Sequence, residues 1–548
     1  MPLIFLILSL LSTESFATPA AGQKIMISAA NELAVEYGKE LYRQGGTIVD
    51  VAVGVALMMS VTNPYFASLG GGGFALVKMN GETEVLDFRE VAPKKTDPNF
   101  FMKKNKQDSV YGGSAVAVPG LVKGYYELHK KYGKLRWKDV LSGPIKLARK
   151  GFEISNELYD RTEGIKGNFN PAGYKHFFKQ SKVPYLPGDV LRQPGLADGL
   201  GLIATRGVEG FYEGPIAQDL VFAVEKSGGV LSLEDLQSYK VRWLKPMVTQ
   251  FLNYKLYLMP PPSSGGVVMT AIFKLLEMQD LKKWRPYSAP ESHLLAEVFH
   301  RSFRLRTQIG DPDFTKNPVA DLLSPANMLA LNKTINTDKK IQLQALKEDV
   351  DIKNNESSET THFSIINSNG DAVAMTITLN GSYGSGVVTP KFGIVLNNEM
   401  DDFTTRPNEP NIYGLIQGKA NAIEPGKRPL SSMSPTIVEK NGETVLVLGA
   451  QGGPRIISSV AQVIYRTLVN NYNLEEAIHL PRLHAQFQPP IIYFDKGKWS
   501  PEMFDFMKEK GHQTEESWMG RVNAVQRGDK NILYGAADDR VEGYASGY

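Results

Sequence analysis

The stretch TTHFSIINSNGDAVAMTITLN, residues 360–380, sets the architecture of this chain. It holds two apolar runs, rich in residues that favour strands and joined through Asn369 and Gly370, so we predict two paired strands here. The preceding residues 334–359, TINTDKKIQLQALKEDVDIKNNESSE, are polar, charged and free of aromatic side chains. That composition is typical of an exposed, mobile linker. An exposed linker is therefore expected to end directly at a buried strand.

Thr360 is the first residue of that strand, where cleavage of the chain would expose it. If the bond between Glu359 and Thr360 is cut, Thr360 gains an α-amino group, whose pKa in model peptides is about 7.7 to 8.0. This amine can take the proton from the residue's own hydroxyl, which is otherwise a poor nucleophile. A threonine at the start of a strand is also a common structural feature, so the local pattern leaves a purely structural role open.

The composition is that of an ordinary globular protein. Of 548 residues, 42% are hydrophobic and 22% are charged, which excludes a disordered, collagen-like or coiled-coil chain. The absence of cysteine excludes disulfides, thiolate metal sites and a cysteine nucleophile. A formal net charge of +3 argues against a protein held to nucleic acid by its bulk charge. The length fits roughly three or four domains, or one large α/β body.

The first residues, MPLIFLILSLLSTESFATPA, are typical of an export signal. The apolar run from Leu3 to Leu11 is shorter than the roughly 20 residues that span a membrane, and small residues follow around Ala17. We predict a signal peptide over residues 1–17 and an exported protein, in the bacterial periplasm or secreted. A buried N-terminal element is the competing interpretation. No later stretch reaches transmembrane length.

Several other elements follow from periodicity and turn signals. Apolar residues recur at helical spacing through residues 23–60, with Gly45 and Gly46 separating two helices. Asn-Gly pairs at 80–81 and 441–442 lie between alternating runs and predict two more hairpins. Residues 120–245 are predicted to be mostly helical. His293 and His300 lie seven positions apart without a metal-binding motif, and we interpret them as ordinary helix residues.

A series of motifs in fixed order gives the chain a recognisable resemblance. The motifs are LGGGGFALV, LDFREVAP, MPPPSSGG, IGDPDF, TTHFS, TITLNGSYGSG, VLNNEMDDF, NIYGL, KRPLSSMSPT and GAQGGPR. From about residue 24 to Tyr548 the chain closely resembles the γ-glutamyltransferases (γ-glutamyltranspeptidases), which are N-terminal-nucleophile hydrolases. The resemblance implies an α+β fold, a four-layer αββα sandwich formed jointly by a large subunit, residues 18–359, and a small catalytic subunit, residues 360–548. It implies no metal and no organic cofactor.

The resemblance also assigns the catalytic residues. The family's nucleophile is the first threonine of the Thr-Thr-His motif, which matches Thr360, and the bond between Glu359 and Thr360 is then the cleavage site. Thr378 matches the threonine whose hydroxyl supports the nucleophile. Gly452 and Gly453 match the turn whose backbone N–H groups stabilise the oxyanion. A Gly-Gly turn by itself is also ordinary loop chemistry.

A γ-glutamyl donor carries an α-carboxylate and an α-ammonium, and the resemblance assigns partners to both. Arg89 matches the arginine that binds the carboxylate, a task for which a planar guanidinium is well shaped, and Ser431 and Ser432 add hydroxyl donors. The ammonium end is assigned to Asn380, Glu399 and Asp402. Glu399 stands where some relatives carry glutamine. Taken alone, NNEMDDF is more typical of a solvated acidic turn.

Tyr413 resembles the aromatic residue of a loop that covers the substrate in part of this family. The surrounding segment, FTTRPNEPNIYG, is rich in turn residues, so it suits either such a lid or a static surface loop.

The resemblance implies an enzyme that cleaves the γ-glutamyl amide of glutathione and related donors. The acyl group then passes to water, amino acids or dipeptides, while nucleic acid and a stable membrane anchor are not expected as partners. Two alternatives remain open. A related acylase of β-lactam side chains would share the fold without needing the amino-acid clamp, and a non-catalytic exported binding protein would remain uncut.

Overall fold

The computed structural model describes residues 19–340 and 360–548. The predicted signal peptide, Glu359 and all but the first part of the predicted linker therefore lie outside the described residues.

Strands in the described residues run from near one end of the chain to the other. They are β1 Ala20–Gly22, β2 Ile25–Ala29, β3 Gly72–Met79, β4 Glu82–Phe88, β5 Phe152–Glu153, β6 Val190–Leu191, β7 Arg242–Leu244, β8 Met247–Phe251, β9 Tyr254–Leu258, β10 Thr361–Asn367, β11 Ala372–Thr378, β12 Thr436–Lys440, β13 Glu443–Ala450, β14 Leu483–His484, β15 Ile491–Asp495, β16 Gln513–Ser517, β17 Val522–Arg527, β18 Leu533–Ala537 and β19 Tyr544–Gly547.

Helices are concentrated before residue 340. They are α1 Glu32–Arg43, α2 Ile48–Thr62, α3 Pro64–Ala67, α4 Leu121–Tyr132, α5 Trp137–Lys150, α6 Asn156–Gly164, α7 Pro171–Phe177, α8 Pro194–Arg206, α9 Glu209–Tyr212, α10 Gly214–Lys226, α11 Leu233–Ser238, α12 Gly265–Glu277, α13 Ala289–Arg304, α14 Val319–Leu322, α15 Pro325–Asn332, α16 Arg455–Leu468, α17 Leu474–His479 and α18 Pro501–Glu509.

Two seven-stranded antiparallel sheets form the centre of the molecule. One has the order β1-β18-β17-β13-β12-β9-β8, and the other has the order β19-β2-β10-β11-β3-β4-β7. Both sheets combine strands from before and after Thr360. In the second sheet, β10 is central and pairs with β2 on one side and β11 on the other. The strand that follows Thr360 is therefore held by hydrogen bonds along both edges.

The alternation of side chains along β10 separates two hydrophobic cores. Phe363 and Ile365 point to the core shared with α1, α2, α4, α5 and α8, whereas Ile366 points to the core between the sheets. In that inter-sheet layer, Ser364 Oγ donates to Asn523 O of β17 at 3.0 Å. Helices α12, α13, α16 and α17 cover the outer face of the other sheet. This arrangement confirms the predicted four-layer αββα fold.

The local predictions have mixed outcomes. The hairpin turns at 80–81 and 441–442 are confirmed, and all four turn residues have positive φ. The two helices separated near Gly45 are also confirmed as α1 and α2, but the helical prediction is wrong for Ile25–Ala29, which is β2. All five residues of that run, IMISA, are buried on both faces of the strand. Its sequence therefore lacks the alternation of apolar and polar residues that would distinguish a strand from a helix. Within the described residues, no helix is long and apolar enough to cross a membrane.

Candidate active site

A pocket of about 290 Å³ lies at the end of β10 and β11. Its lining comes from both sides of the predicted cleavage point and comprises Arg89, Arg306, Thr360, Thr378, Asn380, Glu399, Asp402, Tyr413, Leu415, Ser431, Ser432, Met433, Gly453 and Ile456. The structure thus brings nearly all of the predicted site residues together. Gly452 is not among the lining residues, and Glu359 lies outside the described residues.

The sheet register places the two threonines side by side. Thr361 pairs with Ile377 in the β10–β11 ladder, so Thr360 and Thr378 face each other one position further on, with their Oγ1 atoms 3.3 Å apart. Thr360 is only 4% exposed. The backbone N–H of Asn380 donates to Thr378 Oγ1 at 2.8 Å, so the Thr378 hydroxyl hydrogen can point toward Thr360. Thr378 is therefore positioned to support and orient the Thr360 hydroxyl.

His362, two residues after Thr360, serves the core and not the pocket. It is fully buried between the sheets, where its ring nitrogens contact Thr376 Oγ1 at 2.8 Å and Ser364 Oγ at 2.9 Å. Burial lowers the pKa of His362 to about 3, so its ring is neutral at physiological pH. The geometry gives His362 no contact with the Thr360 hydroxyl, which leaves base catalysis to another group.

Arg89 forms the centre of a buried charge cluster. Its Nη1 lies 2.7 Å from Glu399 Oε2, its Nη2 lies 2.6 Å from Asp402 Oδ2, and its Nε donates to Pro429 O. Burial alone lowers the pKa of Arg89, but Glu399 and Asp402 outweigh it and raise that pKa above its ordinary value. Burial raises the pKa of Glu399 well above its usual range and that of neighbouring Glu90 to about 8, while Arg89 opposes both shifts. The predicted carboxylate-binding and ammonium-binding residues therefore already form an ion pair with each other.

The serine pair is held in place by the proline-rich turn before α12. Ser431 N donates to Pro262 O at 2.8 Å, and the Ser264 hydroxyl donates to Ser431 O at 2.9 Å. Ser431 Oγ also accepts from Met433 N at 3.1 Å. The hydrogen bonds of Pro262 and Ser264 to Ser431 explain why the MPPPSSGG motif accompanies the site, although the motif does not line the pocket.

Gly452 and Gly453 precede α16 and adopt backbone conformations that favour glycine, with φ of 121° and 54°. A Cβ on Gly453 would lie 2.5 Å from the Tyr413 ring, and one on Gly452 would lie 2.9 Å from Trp518. In the part of the chain that the structure describes, neither amide donates to a backbone carbonyl. Of the two glycines, Gly453 lines the pocket.

Tyr413 closes one side of the pocket. Its hydroxyl donates to Asn380 O at 2.6 Å, and its side chain is buried against Gly453. The loop is anchored by Ile412 N, which donates to Asp401 Oδ2 at 2.9 Å, and burial raises the pKa of Asp401 to about 7. In this structure Tyr413 and Leu415 of this loop line the pocket.

Sequence reasoning missed four lining residues: Arg306, Leu415, Met433 and Ile456. The last three are apolar wall residues with no distinguishing pattern. Arg306 lies three positions before IGDPDF, among three arginines within six positions of the chain, and nothing in the sequence separates it from its neighbours.

The histidines that were interpreted as helix residues do lie on α13, but they are buried. His293 Nδ1 lies 2.7 Å from His512 Nε2, and His300 Nδ1 lies 2.7 Å from Gln486 O. Across residues 19–340 and 360–548, no group of three or more histidine or carboxylate side chains is arranged to hold a metal ion.

A family model described as Gamma-glutamyltranspeptidase matches residues 34–548. The chain belongs to the gamma-glutamyltranspeptidase family. It is 37% identical over 540 residues to the glutathione hydrolase proenzyme of Escherichia coli K12, covering 97% of this chain and 93% of that protein. It is 36% identical over 560 residues to the proenzyme of the same name from Pseudomonas aeruginosa PAO1, covering 99% and 98% of the two chains. As a gamma-glutamyltranspeptidase family member, the protein is an enzyme.

Solved structures agree with this assignment. A gamma-glutamyltranspeptidase from Helicobacter pylori is 34% identical, with a TM-score of 0.55, and covers 57% of this chain and 91% of its own. A cephalosporin acylase from Bacillus halodurans has a TM-score of 0.84 over 100% of this chain and 99% of its own, at 22% identity. The second comparison shows the shared fold alone.

Proposed function

We propose that this protein is a self-processing γ-glutamyltransferase and glutathione hydrolase with Thr360 as its nucleophile. The observation that carries the proposal is the pairing, in one pocket, of the Thr360–Thr378 hydroxyls with the Arg89–Asp402 ion pair. The first pair suits attack on an amide carbonyl, and the second suits an amino-acid head group. Glutathione and other γ-glutamyl donors carry both an amide and such a head group.

Processing comes first in this scheme. The Thr360 hydroxyl attacks the carbonyl of Glu359, the acyl group shifts from nitrogen to oxygen, and water hydrolyses the resulting ester. The reaction leaves a large subunit, residues 18–359, and a small subunit, residues 360–548, held together by sheets that contain strands of both. The new α-amino group of Thr360 then acts as the base for its own hydroxyl.

When the donor binds, two ion pairs to the ligand, one from Arg89 and one from Asp402, replace the ion pair between these two residues. The zwitterionic head group places its α-carboxylate on Arg89, helped by Ser431 and Ser432, and its α-ammonium on Asp402, helped by Glu399 and Asn380. Because the ligand brings one charge of each sign, both Arg89 and Asp402 stay paired when it enters. Buried charges left unpaired would be costly, so this exchange favours a zwitterion over a simple anion.

Turnover follows from attack of Thr360 Oγ1 on the γ-carbonyl. Backbone N–H groups of Gly452 and Gly453 stabilise the oxyanion, and one such donor contributes on the order of 3 kcal/mol to the transition state. The amine leaves, and the γ-glutamyl ester of Thr360 passes to water, an amino acid or a dipeptide in the second half of a ping-pong reaction. We further propose export to the periplasm or outside the cell, on the basis of residues 1–17.

The deciding experiment compares Thr360→Ala with Thr360→Ser. We expect Thr360→Ala to remain a single uncut chain without γ-glutamyl-p-nitroanilide hydrolysis, because it lacks the hydroxyl needed for both steps. Thr360→Ser keeps that hydroxyl and should be cut and active. Mass spectrometry of the wild type should find a fragment that begins at Thr360. A cut and active Thr360→Ala protein would refute the assignment.

A second substrate class separates the main proposal from the acylase alternative. The Bacillus halodurans neighbour is a cephalosporin acylase, although at 22% identity it shares only the fold. A glutaryl-cephalosporin carries a terminal carboxylate but no α-ammonium, so it would leave Asp402 and Glu399 without a ligand partner. We expect much faster hydrolysis of γ-glutamyl-p-nitroanilide than of glutaryl-cephalosporin, and the reverse order would favour the acylase.

A further inference from the structure

Two arginines line the pocket, and their surroundings differ. Arg89 is 1% exposed, and its guanidinium lies within 3.6 Å of the Glu90, Glu399 and Asp402 carboxyl groups. Arg306 is 3% exposed and, among the described residues, forms no ion pair. Arg306 Nη1 donates to Gln417 Oε1 at 3.1 Å, and its buried Nε has no hydrogen-bond partner within residues 19–340 and 360–548. Arg306 is therefore a buried cation in the pocket whose guanidinium can donate further hydrogen bonds to a ligand.

A buried guanidinium destabilises the folded protein unless an anion pairs with it. A buried, unpaired charge is strongly disfavoured, and guanidinium groups are usually met by carboxylates or phosphates in a bidentate contact. Burial lowers the pKa of Arg306 to about 10, so it still carries its charge at neutral pH. Asp402 attracts the Arg306 charge without contacting it: among the described residues the two form no ion pair, and the Asp402 carboxylate oxygens contact Arg89 and Asn411.

We propose that Arg306 is a second binding residue for the α-carboxylate of the γ-glutamyl donor and acts together with Arg89. This inference rests on the proposed γ-glutamyltransferase function and adds a residue to its donor site. A carboxylate placed between the two guanidinium groups gives Arg306 its missing ion pair. It also lets Arg89 keep a carboxylate partner when the donor's ammonium draws Asp402 toward itself.

A chain of hydrogen bonds links Arg306 to the ammonium side of the pocket. Arg306 donates to Gln417 Oε1, and Gln417 Nε2 donates to Asp402 O at 2.7 Å. Asn421 Nδ2 contacts both Asp402 O, at 2.6 Å, and Gln417 Oε1, at 2.8 Å. Binding of the carboxylate at Arg306 is thereby coupled to the position of the backbone that carries Asp402.

The experiment uses Arg306→Met, Arg306→Lys and the matched control Arg304→Met. Arg304 lies two positions earlier, is partly exposed and does not line the pocket. For Arg306→Met we expect kcat/KM for γ-glutamyl-p-nitroanilide to fall by about 10- to 100-fold, mainly through KM, since hydrogen bonds to charged groups are the stronger class. The inhibition constant of L-glutamate should rise by a similar factor. Arg306→Lys should lie between Arg306→Met and the wild type, and Arg304→Met should match the wild type.

Two further readouts separate carboxylate binding from a merely structural role. The anilide of 4-aminobutyrate lacks the α-carboxylate, and its hydrolysis, measured with enzyme in excess, should change less than threefold in Arg306→Met. Without ligand, Arg306→Met should melt at the same temperature as the wild type or higher, because an unpaired buried charge is gone, while stabilisation by L-glutamate should shrink.

Unchanged L-glutamate affinity in a cut Arg306→Met enzyme would overturn this inference, as would an equal loss on the 4-aminobutyryl and γ-glutamyl anilides. Such a result would leave the proposed function standing, because the wild type would still hydrolyse the γ-glutamyl substrate. A wild type without that activity would instead refute the proposed function itself.

Discussion

The two ends of the pocket are built in different ways. The hydroxyl end, Thr360 and Thr378, lies on neighbouring strands, and its 3.3 Å contact follows from the antiparallel register. The charged end combines Arg89, which directly follows β4, with Glu399 and Asp402 of a short 3-10 helix, and Arg89 and Asp402 are 313 positions apart in the chain. Backbone hydrogen bonds therefore position the nucleophile, whereas the balance of buried charges prepares the site for the substrate's head group. A change at one end should leave the other largely intact.

The largest effect is expected from Arg89→Gln at the charged end. This change removes the main carboxylate contact and leaves the buried Asp402 carboxylate without its cation, a loss that destabilises comparable buried pairs by about 3 to 5 kcal/mol. We expect kcat/KM for γ-glutamyl-p-nitroanilide to fall by about 100- to 1,000-fold. The chain should still be cut at Thr360, because the hydroxyl end is unchanged.

Arg89→Lys is the matched control for this test, since it keeps the charge but loses the planar fork. Its activity should lie between those of Arg89→Gln and the wild type. If Arg89→Gln remained uncut, or kept more than about a tenth of the wild-type kcat/KM, the separation of the two ends would be wrong.

A smaller effect is expected from Thr378→Val at the hydroxyl end. The change removes the hydroxyl beside Thr360 Oγ1 and the acceptor for the Asn380 amide. Since a neutral hydrogen bond contributes about 1 kcal/mol, we expect processing and kcat to slow by roughly 5- to 20-fold, with little change in KM. Time-resolved gels and steady-state kinetics measure the two rates. Thr378→Ser should restore both, and a variant that changed KM alone would contradict the assigned role.

The smallest effect is expected in the pH dependence of the protein's stability, through the carboxyl group of Glu90. Burial raises its pKa to about 8, above the value of about 4.3 for an exposed glutamate, so the folded protein keeps a proton that the unfolded chain has released between these pH values. Stability from this group is therefore present at low pH and is lost as the pH rises toward 8.

The measurement is the melting temperature of the wild type and of Glu90→Gln at pH 5 and pH 8. Both proteins contain the other titrating groups, so the difference between their pH slopes reports Glu90 together with its effect on the neighbouring buried carboxyl group of Glu399. The wild type should lose about 2 °C more than Glu90→Gln over this range. Parallel slopes would show that Glu90 titrates normally in the fold.

Much of the fold could be predicted from local signals. The Asn-Gly turns, helix α4 at Leu121–Tyr132 and the break between α1 and α2 follow from backbone preferences and 3.6-residue spacing, which act over a few neighbouring residues. The wrong prediction for Ile25–Ala29 has the opposite origin. That segment is a strand because β10, more than 330 positions away, offers it an edge to pair with. No local pattern contains this information.

The sequence by itself determined the strand pair of residues 361–378, the placement of Thr360 at its start and, through the order of its motifs, the family to which the chain belongs. Only the tertiary structure decided that Arg89 is already paired with Glu399 and Asp402. It also decided that Arg306, indistinguishable in sequence from its neighbouring arginines, is buried in the pocket without an ion pair to any of the described residues. The physical reason is the separation along the chain over which each kind of interaction acts. Periodicity and turn chemistry act between near neighbours in the chain, whereas burial and ion pairing depend on which distant residues the fold brings together.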